Sequence, residues 1–584
     1  MERIKQLKQF LAWFWRVAKP YWISTEKWKA LAFLVSVVIL IVAVNKINVT
    51  LNQVQGDFVT ALTEKKVDEF EQNLINFLGI LMSLLVLTLT QSFLQQKLVL
   101  YWREWLTNNF IAQYFTNQSF YKVNNYSLID NPDQRIADDI DGFTNKTIEY
   151  TLDFGSNLLR GFLFVGVLWS LNSTLVWVAL VTAIIQTLIS FWIGRILTPL
   201  NFKNLQYQAD FRYGLVHVRN NSESIAFYQG EAQEDQMLQE RFSRLLFILH
   251  RMILPQSALS AFSFGLTFIT FVLSYWILAP QYFSGQIPFG DISRSTHAFM
   301  TVLFVFSWFA TSFQDLTLFA AVTKRLGTFA EFLDQVNTPI EPEHTIHNII
   351  EPRLALSHVT LETPNHEKIL IENLSLEVVP STGLLIMGAS GVGKSSVLRA
   401  VAGLWNSGKG YIYRPKETEM LFIPQRPYMT LGSLRSQIIY PHIDLDVSDE
   451  QLQAVLEKVN LSSLAPRVGG FDVILNWADV LSLGEQQRLA FARLFLLNPK
   501  YAVLDESTSA LDVKNERHLY QMLKDSHTTY ISVGHRPTIV PYHETIIEFL
   551  GDGKWHSYPA SDYKIDGTSN NGNGSTPSEA IILD

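Results

Sequence analysis

Six stretches of this chain, at 30–50, 73–96, 155–172, 174–197, 258–280 and 298–321, read as membrane-spanning helices. The hydrocarbon core of a bilayer takes about 20 residues of helix to cross, and every stretch reaches or approaches that length. Inside lipid each backbone N–H and C=O must be paired within its own segment, so such runs have to be helical. The same runs in a soluble protein would have to be buried core helices. Six of them crowd the first 330 or so residues, several without a charge over 15 or more residues, and the remainder reads as a soluble α/β domain. Composition matters here through that split: aromatics make up 13% of the chain, with 39 Phe.

Charge orients the spans. The segment between the first two carries Asp57, Glu64, Asp68, Glu69 and Glu71 against Lys65 and Lys66. The N-terminus and the 198–257 connection are basic, the latter through Lys203, Arg212, Arg219, Arg241, Arg244 and Arg251. Basic segments stay on the cytoplasmic side, so both chain ends are expected there. Residues 1–29, where Arg3, Lys5, Lys8, Arg16 and Lys19 alternate with Leu7, Phe10, Leu11, Trp13, Phe14 and Trp15, read as a basic amphipathic helix on the inner membrane face. No cleavable signal is legible there. A net charge of −8 gives no basic field for nucleic acid. The absence of Cys excludes disulfides, thiolate metal sites and a Cys nucleophile.

The connections 97–154 and 198–257 are too long for bare loops and are expected to be helical hairpins that run on past the bilayer and return. Asn131-Pro132-Asp133 supplies the turn signal of one, and Gly214 and Gly230 those of the other. Two long cytoplasmic hairpins, each ending in a short helix, resemble the architecture of ABC exporters.

A linker at 337–350 leads to a second domain, expected over 351–560. The strand-like Leu384-Leu385-Ile386-Met387 runs into Gly388-Ala389-Ser390-Gly391-Val392-Gly393-Lys394-Ser395, with an apolar helix after it. This is a complete phosphate loop in its proper setting: its backbone N–H groups and the helix N-terminus cradle phosphates. Lys394 is placed to reach the β- and γ-phosphates of ATP, and the Ser395 hydroxyl to ligate Mg²⁺. A buried strand then delivers Asp505 and Glu506, the first suited to the metal and the second to the attacking water as general base. Leu481-Ser482-Leu483-Gly484-Glu485-Gln486-Gln487-Arg488 resembles the ABC signature, with Leu483 in place of the first of the usual two glycines. The resemblance implies that Ser482 and Gly484, with Glu485, present a phosphate-binding helix start to the other subunit, so that the chain works as a dimer. It implies phosphate or nucleotide contacts from Gly388, Ser390, Gly391, Gly393, Ser396 and Asp512. It also assigns Gln425 to metal and water, and His535 to the γ-phosphate. An aromatic residue that commonly stacks on adenine is missing from Val359-Thr360-Leu361-Glu362-Thr363-Pro364.

The membrane half narrows the likeness. Asn131-Pro132-Asp133-Gln134-Arg135-Ile136 and Asn221-Ser222-Glu223-Ser224-Ile225-Ala226-Phe227-Tyr228 resemble the hairpin motifs of the peroxisomal fatty-acyl-CoA half-transporters (the adrenoleukodystrophy-protein family) and their bacterial relatives. Pro424-Gln425-Arg426-Pro427-Tyr428 and Trp477-Ala478-Asp479-Val480 agree. The expectation is therefore a six-span helical membrane domain over 30–336 joined to an α/β P-loop ATPase. A tail at 561–584 is expected to be disordered. The resemblance implies a homo- or heterodimer; the expectation is a homodimer in a bacterial cytoplasmic membrane, moving an amphipathic or lipid-like solute such as a fatty acid or fatty acyl-CoA by alternating access. Import of hydrophilic compounds such as cobalamin or peptides on the same fold is the alternative, and a nucleotide-gated regulatory protein is the alternative of another class. Polar residues within the spans are candidate cargo contacts: Asn45, Lys46 and Asn48, Arg160, and Asp315.

Overall fold

The structure, a computed structural model, describes residues 2–125, 129–337, 345–442 and 445–563, without the side chains at 2, 3, 6, 124, 125, 309–315 and 317. It divides into two compact units, Met1–Pro339 and Ile340–Asp584.

The first unit is all helix. α1 (Glu2–Ile23), α2 (Lys27–Thr63) and α3 (Val67–Phe115) are followed by α4 (Ser119–Asn125), α5 (Pro132–Gln134) and α6 (Ile140–Leu171). α7 (Ser173–Asn220), α8 (Ser222–Tyr228), α9 (Glu231–Phe283) and α10 (Phe289–Asn337) complete it. Five of the expected spans lie in helices long and apolar enough to cross a membrane. The sixth, 298–321, lies in α10, part of whose side chains are outside the description. α3 has 49 residues and α9 has 53, more than twice the roughly 20 that a bilayer takes. These helices therefore run on well past the apolar layer, as the long connections require. α6 and α7 are joined through Asn172 alone, whose side chain caps α7 by accepting from Thr174 N at 2.8 Å.

The amphipathic α1 buries Val17, Ala18 and Tyr21 and exposes Leu7, Leu11 and Trp15. Tyr21 stacks on the buried Trp102 of α3, ring centroids 5.7 Å apart, so one face of α1 is packed on protein.

The tips of the two hairpins are built differently. In the first, Asn131 takes a left-handed conformation, φ 42°, and Pro132 opens α5, where its fixed φ and missing N–H carry no penalty. A π-helical turn, Arg135–Asp139, then leads into α6. Arg135 is buried at its centre. It donates from Nε to Asp130 O at 3.0 Å and from Nη1 to Arg325 O of α10 at 2.6 Å and Thr328 Oγ1 at 3.2 Å, and it pairs through Nη2 with the Asp130 carboxylate. Arg325 in turn contacts Asp139 at 3.0 Å. In the second tip, α8 is bounded by Asn221 and by Gln229, φ 52°. Gly214, read from sequence as a turn signal, lies inside α7 instead. A Cβ there would come within 2.9 Å of Leu238, so this glycine lets α9 approach closely.

The second unit carries two sheets. β1 (His347–Ile350), β5 (Gly408–Arg414), β2 (Ala355–Glu362) and β3 (Ile369–Glu377) form one in that order. The other is ordered β10 (Lys554–Pro559), β9 (Thr545–Gly551), β4 (Gly383–Gly388), β8 (Thr529–Val533), β7 (Tyr501–Asp505) and β6 (Met420–Ile423). Its four pairings from β9 to β6 are parallel, with β10 antiparallel at the edge. β4, β7 and β8 are almost wholly buried, which is why they read as continuous apolar runs. The helices are α11 (Lys394–Val401), α12 (Leu434–Ile439), α13 (Asp449–Lys458), α14 (Leu464–Val468), α15 (Trp477–Val480), α16 (Leu483–Leu497) and α17 (Val513–Asp525). Residues 347–350, expected as linker, pair as β1 with β5. The expected tail lies outside the described residues from 564 onward.

Candidate nucleotide site and membrane cavity

Ligands of parallel α/β sheets bind beyond the carboxyl ends of the strands, and the predicted residues converge there. β4 ends at Gly388, and the loop climbs into α11 through Gly391, φ 83°, and Gly393, φ 102°. Only glycine adopts this backbone without strain. Lys394, buried, donates from Nζ to Gly388 O at 2.8 Å and Ala389 O at 2.7 Å. Burial brings its ammonium below the ordinary lysine value, against the pull of Glu506 and Asp505. Ser390 and Gly391 are exposed on the loop, and Ser396 N bonds back to Gly393 O at 3.0 Å.

β7 delivers the acids. Ser395 Oγ donates to Asp505 Oδ1 at 3.1 Å. Burial raises the Asp505 carboxyl above its ordinary value, and the Ser395 bond opposes this. Hydroxyl and carboxylate oxygens side by side at the foot of the loop are the hard donors that Mg²⁺ prefers, so the residues present suit that ion. Glu506 follows with φ 44°, a left-handed conformation that costs a non-glycine residue about 1–3 kcal/mol and that collects at functional sites. Gln425 Nε2 donates to Glu506 Oε2 at 2.8 Å, and His535 Nε2 lies 3.1 Å from Glu506 Oε1. The strained carboxylate is thus held from both sides by the two residues that sequence reading assigns to the reaction.

Ser482 is the N-cap of α16 in a complete capping box: its hydroxyl accepts from Glu485 N at 3.3 Å, and Glu485 Oε2 accepts from Ser482 N at 2.9 Å. A Cβ on Gly484 would stand 3.1 Å from Ala510 O, so this glycine is fixed by close approach, whereas Leu483, where the usual motif has glycine, is half-exposed. Asp512 caps α17, accepting from Asn515 N at 2.9 Å.

Three residues that sequence reading passed over bind these parts together. Gln487, fully buried, donates to Gln425 O at 3.0 Å and Ser509 Oγ at 3.1 Å and accepts from Ala510 N at 3.0 Å. Its signal was present: with Leu483, Ala490 and Leu494 it falls on the apolar stripe of α16, where a glutamine is out of place. Arg467 on α14 pairs with Glu485 at 2.7 Å. Arg536, next to His535, donates to Leu511 O at 2.8 Å and Ser509 O at 2.7 Å. Nothing in the local sequence pairs Arg467 or Arg536 with those targets. No aromatic residue follows β2 at the expected place, but two rings bracket that turn: Trp405 Nε1 donates to Glu362 O at 2.9 Å, and His366 Nδ1 lies 2.7 Å from Glu362 Oε2.

The membrane unit holds a cavity of about 490 Å³ among its helices. Asn48, Arg160, Gln186 and His297 line it together with apolar side chains such as Phe164 and Leu266. Of the candidate cargo contacts, Asn48 and Arg160 are here. Asn45 stands behind Arg160, accepting from its Nε at 3.1 Å. Lys46 is exposed and outside the lining, and the Asp315 side chain lies outside the described residues. Gln186 and His297 were not singled out from sequence.

Comparison with known proteins agrees with this geometry. Residues 19–283 match the family described as ABC transporter transmembrane region 2, and residues 371–509 match the ABC transporter family. An uncharacterized ABC transporter ATP-binding protein of Synechocystis is 43% identical over 92% of this chain and 82% of its own length. ABC transporter D family member 2, chloroplastic, of Arabidopsis thaliana is 37% identical over 94% of this chain and 87% of its own. The human lysosomal cobalamin transporter ABCD4 is 30% identical over 94% and 96% respectively. A bacterial Atm1-family ABC exporter with ATP bound shares the fold, with a TM-score of 0.70 at 17% identity over 91% of this chain and 96% of that one.

Proposed function

The chain belongs to the ABC transporter family, among the D-type half-transporters and their bacterial relatives, and from that premise we propose that it is a homodimeric pump for an amphipathic, lipid-like solute in a bacterial cytoplasmic membrane. It is an integral membrane protein with an ATPase coupled to transport, and a half-transporter acts as a dimer. The finer reading, with its cargo, homodimer, membrane and Mg²⁺, rests on the arrangement around Glu506 and on the mixed lining of the membrane cavity.

The observation that carries turnover is the clamp on Glu506. Its carboxylate, fixed by Gln425 and His535, is ready to take the proton of a water attacking the γ-phosphorus while the bond to the β-phosphate breaks. Lys394 exchanges its bonds to Gly388 O and Ala389 O for phosphate oxygens. Ser395, Asp505 and Gln425 would hold Mg²⁺, which supplies charge neutralisation on the phosphates. Ser482 and Gly484, at the start of α16, are the parts offered to the partner's phosphate loop. ATP then favours the closed dimer only through its tighter binding to that state, and hydrolysis resets it.

The lipid-like class is supported by the cavity, whose lining mixes polar and apolar side chains. A hydrophilic solute is the second reading, favoured by the name of the human relative. The test is ATP hydrolysis by the full chain in lipid nanodiscs, with fatty acids, acyl-CoAs, cobalamin and peptides added in turn and Glu506→Gln as control. Fatty acids or acyl-CoAs should stimulate turnover, and Glu506→Gln should lower it about 10²–10⁴-fold, the range of a lost general base. Stimulation by cobalamin or peptides alone overturns the cargo class. Wild-type turnover no higher than that of Glu506→Gln overturns the pump.

A further inference from the structure

The cavity of the membrane unit contains a cation, Arg160, with no ion-pair partner in contact with it among the described residues. A guanidinium has five N–H donors. Arg160 spends the Nε donor on Asn45 Oδ1, 3.1 Å away, and its two Nη groups make no hydrogen bond or ion pair among the described residues. The partner is rigid: Asn45 is fully buried and is itself tied to Ile41 O at 2.9 Å and Ser156 Oγ at 3.1 Å. Asp153, two helical turns away along α6, lies outside ion-pair distance. An uncompensated charge among spanning helices costs several kcal/mol unless it is solvated or paired.

Two further groups face the same space unsatisfied. Asn52 Nδ2 donates both to Arg294 O, 3.2 Å, and to His297 Nδ1, 3.1 Å. That makes Nδ1 the acceptor and puts the imidazole proton on Nε2, for which no partner is present among the described residues. Gln186, 7% exposed, gives its Nε2 to Ser307 Oγ, whose own proton goes to Leu303 O at 2.9 Å. Among the described residues the Gln186 amide oxygen is left buried without a partner. Native interiors pair such groups, so their meeting around one 490 Å³ cavity describes a site awaiting a polar ligand. Ordinary small-molecule sites hold about 300–1,000 Å³. Phe164, Leu266, Met300 and Leu303 complete the wall and suit an alkyl chain.

We propose that this cavity binds a singly charged oxyanion head, carboxylate or phosphate, carried on an alkyl chain, with the Arg160 Nη groups and His297 Nε2–H donating to the anion. One cation per chain matches one negative charge. Of the two lipid-like cargoes of the transport reading, on which this rests, it selects the free acid over the multiply charged CoA thioester.

The test is binding of radiolabelled dodecanoate to the full chain in phosphatidylcholine nanodiscs without nucleotide, so that it is read independently of pumping. Dodecanoate should bind at least tenfold more tightly than methyl dodecanoate, and Arg160→Gln should remove that preference by weakening the acid alone, a charged hydrogen bond corresponding to about tenfold or more. Arg160→Lys should retain part of the preference, and His297→Ala should weaken the acid several-fold with Arg160 intact, which covers the case of an Arg160→Gln chain that fails to fold. Dodecyl phosphate should compete, and inorganic phosphate alone should not. Displacement of dodecanoate by phosphatidylglycerol doped into the disc would identify a bilayer lipid as occupant, and its failure to displace would identify a free amphiphile; either supports the site. Equal binding of acid and ester, an acid preference that survives Arg160→Gln, or tighter binding of dodecanoyl-CoA than of dodecanoate would overturn the proposal. Loss of ATP turnover with the acid preference intact would overturn only the transport reading.

Discussion

The two units treat their polar residues in opposite ways. In the ATPase unit the reactive groups are closed on one another: Lys394 on the loop carbonyls, Ser395 on Asp505, Gln425 and His535 on Glu506, Ser482 on Glu485. In the membrane cavity Arg160, His297 and Gln186 are each bonded on one side and left open on the other. A nucleotide always has the same phosphates, so its site is assembled from partners that can be exchanged one for one. A cargo site is defined by what is withheld from the protein's own hydrogen bonding. Outside the cavity the membrane unit also closes polar groups on one another, as Arg135 does in the first hairpin, and that hairpin is the test of it.

The largest stability effect should come from Arg135, the buried hub between Asp130 and the carbonyl and hydroxyl of α10. Burial pushes the neighbouring Asp139 carboxyl above its usual value, with Arg325 and Arg135 opposing, so this corner depends on its cations. The Asp130 partner is exposed, but removing Arg135 leaves Asp130 O and Arg325 O without their donor, at about 1–3 kcal/mol each. Arg135→Ala should lower the thermal midpoint of the membrane unit by that measure, with ATP affinity unchanged. Arg135→Lys should restore little, because an ammonium cannot reproduce the guanidinium fork. If ATP affinity falls in step with stability, the contrast between the units breaks.

Gln487 gives the ATPase unit the matching test at smaller size. Gln487→Leu keeps the volume but removes the partly buried bonds to Gln425 O and from Ala510 N, at about 1 kcal/mol each. Because it links the residues around Glu506 and not the phosphate loop, kcat for ATP should drop about tenfold while KM stays put, a factor equivalent to about 1.4 kcal/mol. A change confined to KM would place Gln487 with nucleotide binding instead.

These two residues also mark how far the sequence could be read. Phosphate-loop spacing, paired acids and apolar strands are dictated by chemistry and by burial, so the ATPase fold was legible, and so were the residues that meet beyond its parallel strands, Lys394, Ser395, Gln425, Asp505, Glu506 and His535. So were the spans, because lipid leaves no other form for such runs. Gln487 was readable only as a polar residue on an apolar stripe, and Arg135 only as part of a motif whose burial against α10 is a contact between residues about 190 positions apart. Gly214 misled because glycine marks a turn and a close helix crossing with the same letter. The cavity was half visible: Arg160 and Asn48 stand out as polar residues in apolar spans, while Gln186 and His297 join them through packing that periodicity does not encode.

The smallest effect concerns Arg467, a cation that supports the signature helix start from outside it. Burial pushes the Glu485 carboxyl up, but its bonds to Arg467 and to Ser482 N–H outweigh that and hold it below the usual glutamate value. A carboxylate whose folded value is depressed contributes stability that is fully present above its unfolded value and is lost as pH falls through the folded one. Arg467→Ala removes part of that depression, so the contribution should be smaller and its loss complete at a higher pH than in the wild type. The pair is half-exposed, 48% and 16% for the two side chains, and screening should keep the difference to about 0.5 kcal/mol near neutrality. Thermal midpoints of the two proteins between neutral pH and pH 3 check this: they should differ slightly at neutrality and converge once Glu485 is protonated in both. A constant difference across that range would show that Arg467 acts through packing alone. The capping box would then hold Ser482 without help from charge, and the ATPase unit would owe its closed arrangement to hydrogen-bond geometry rather than to electrostatics.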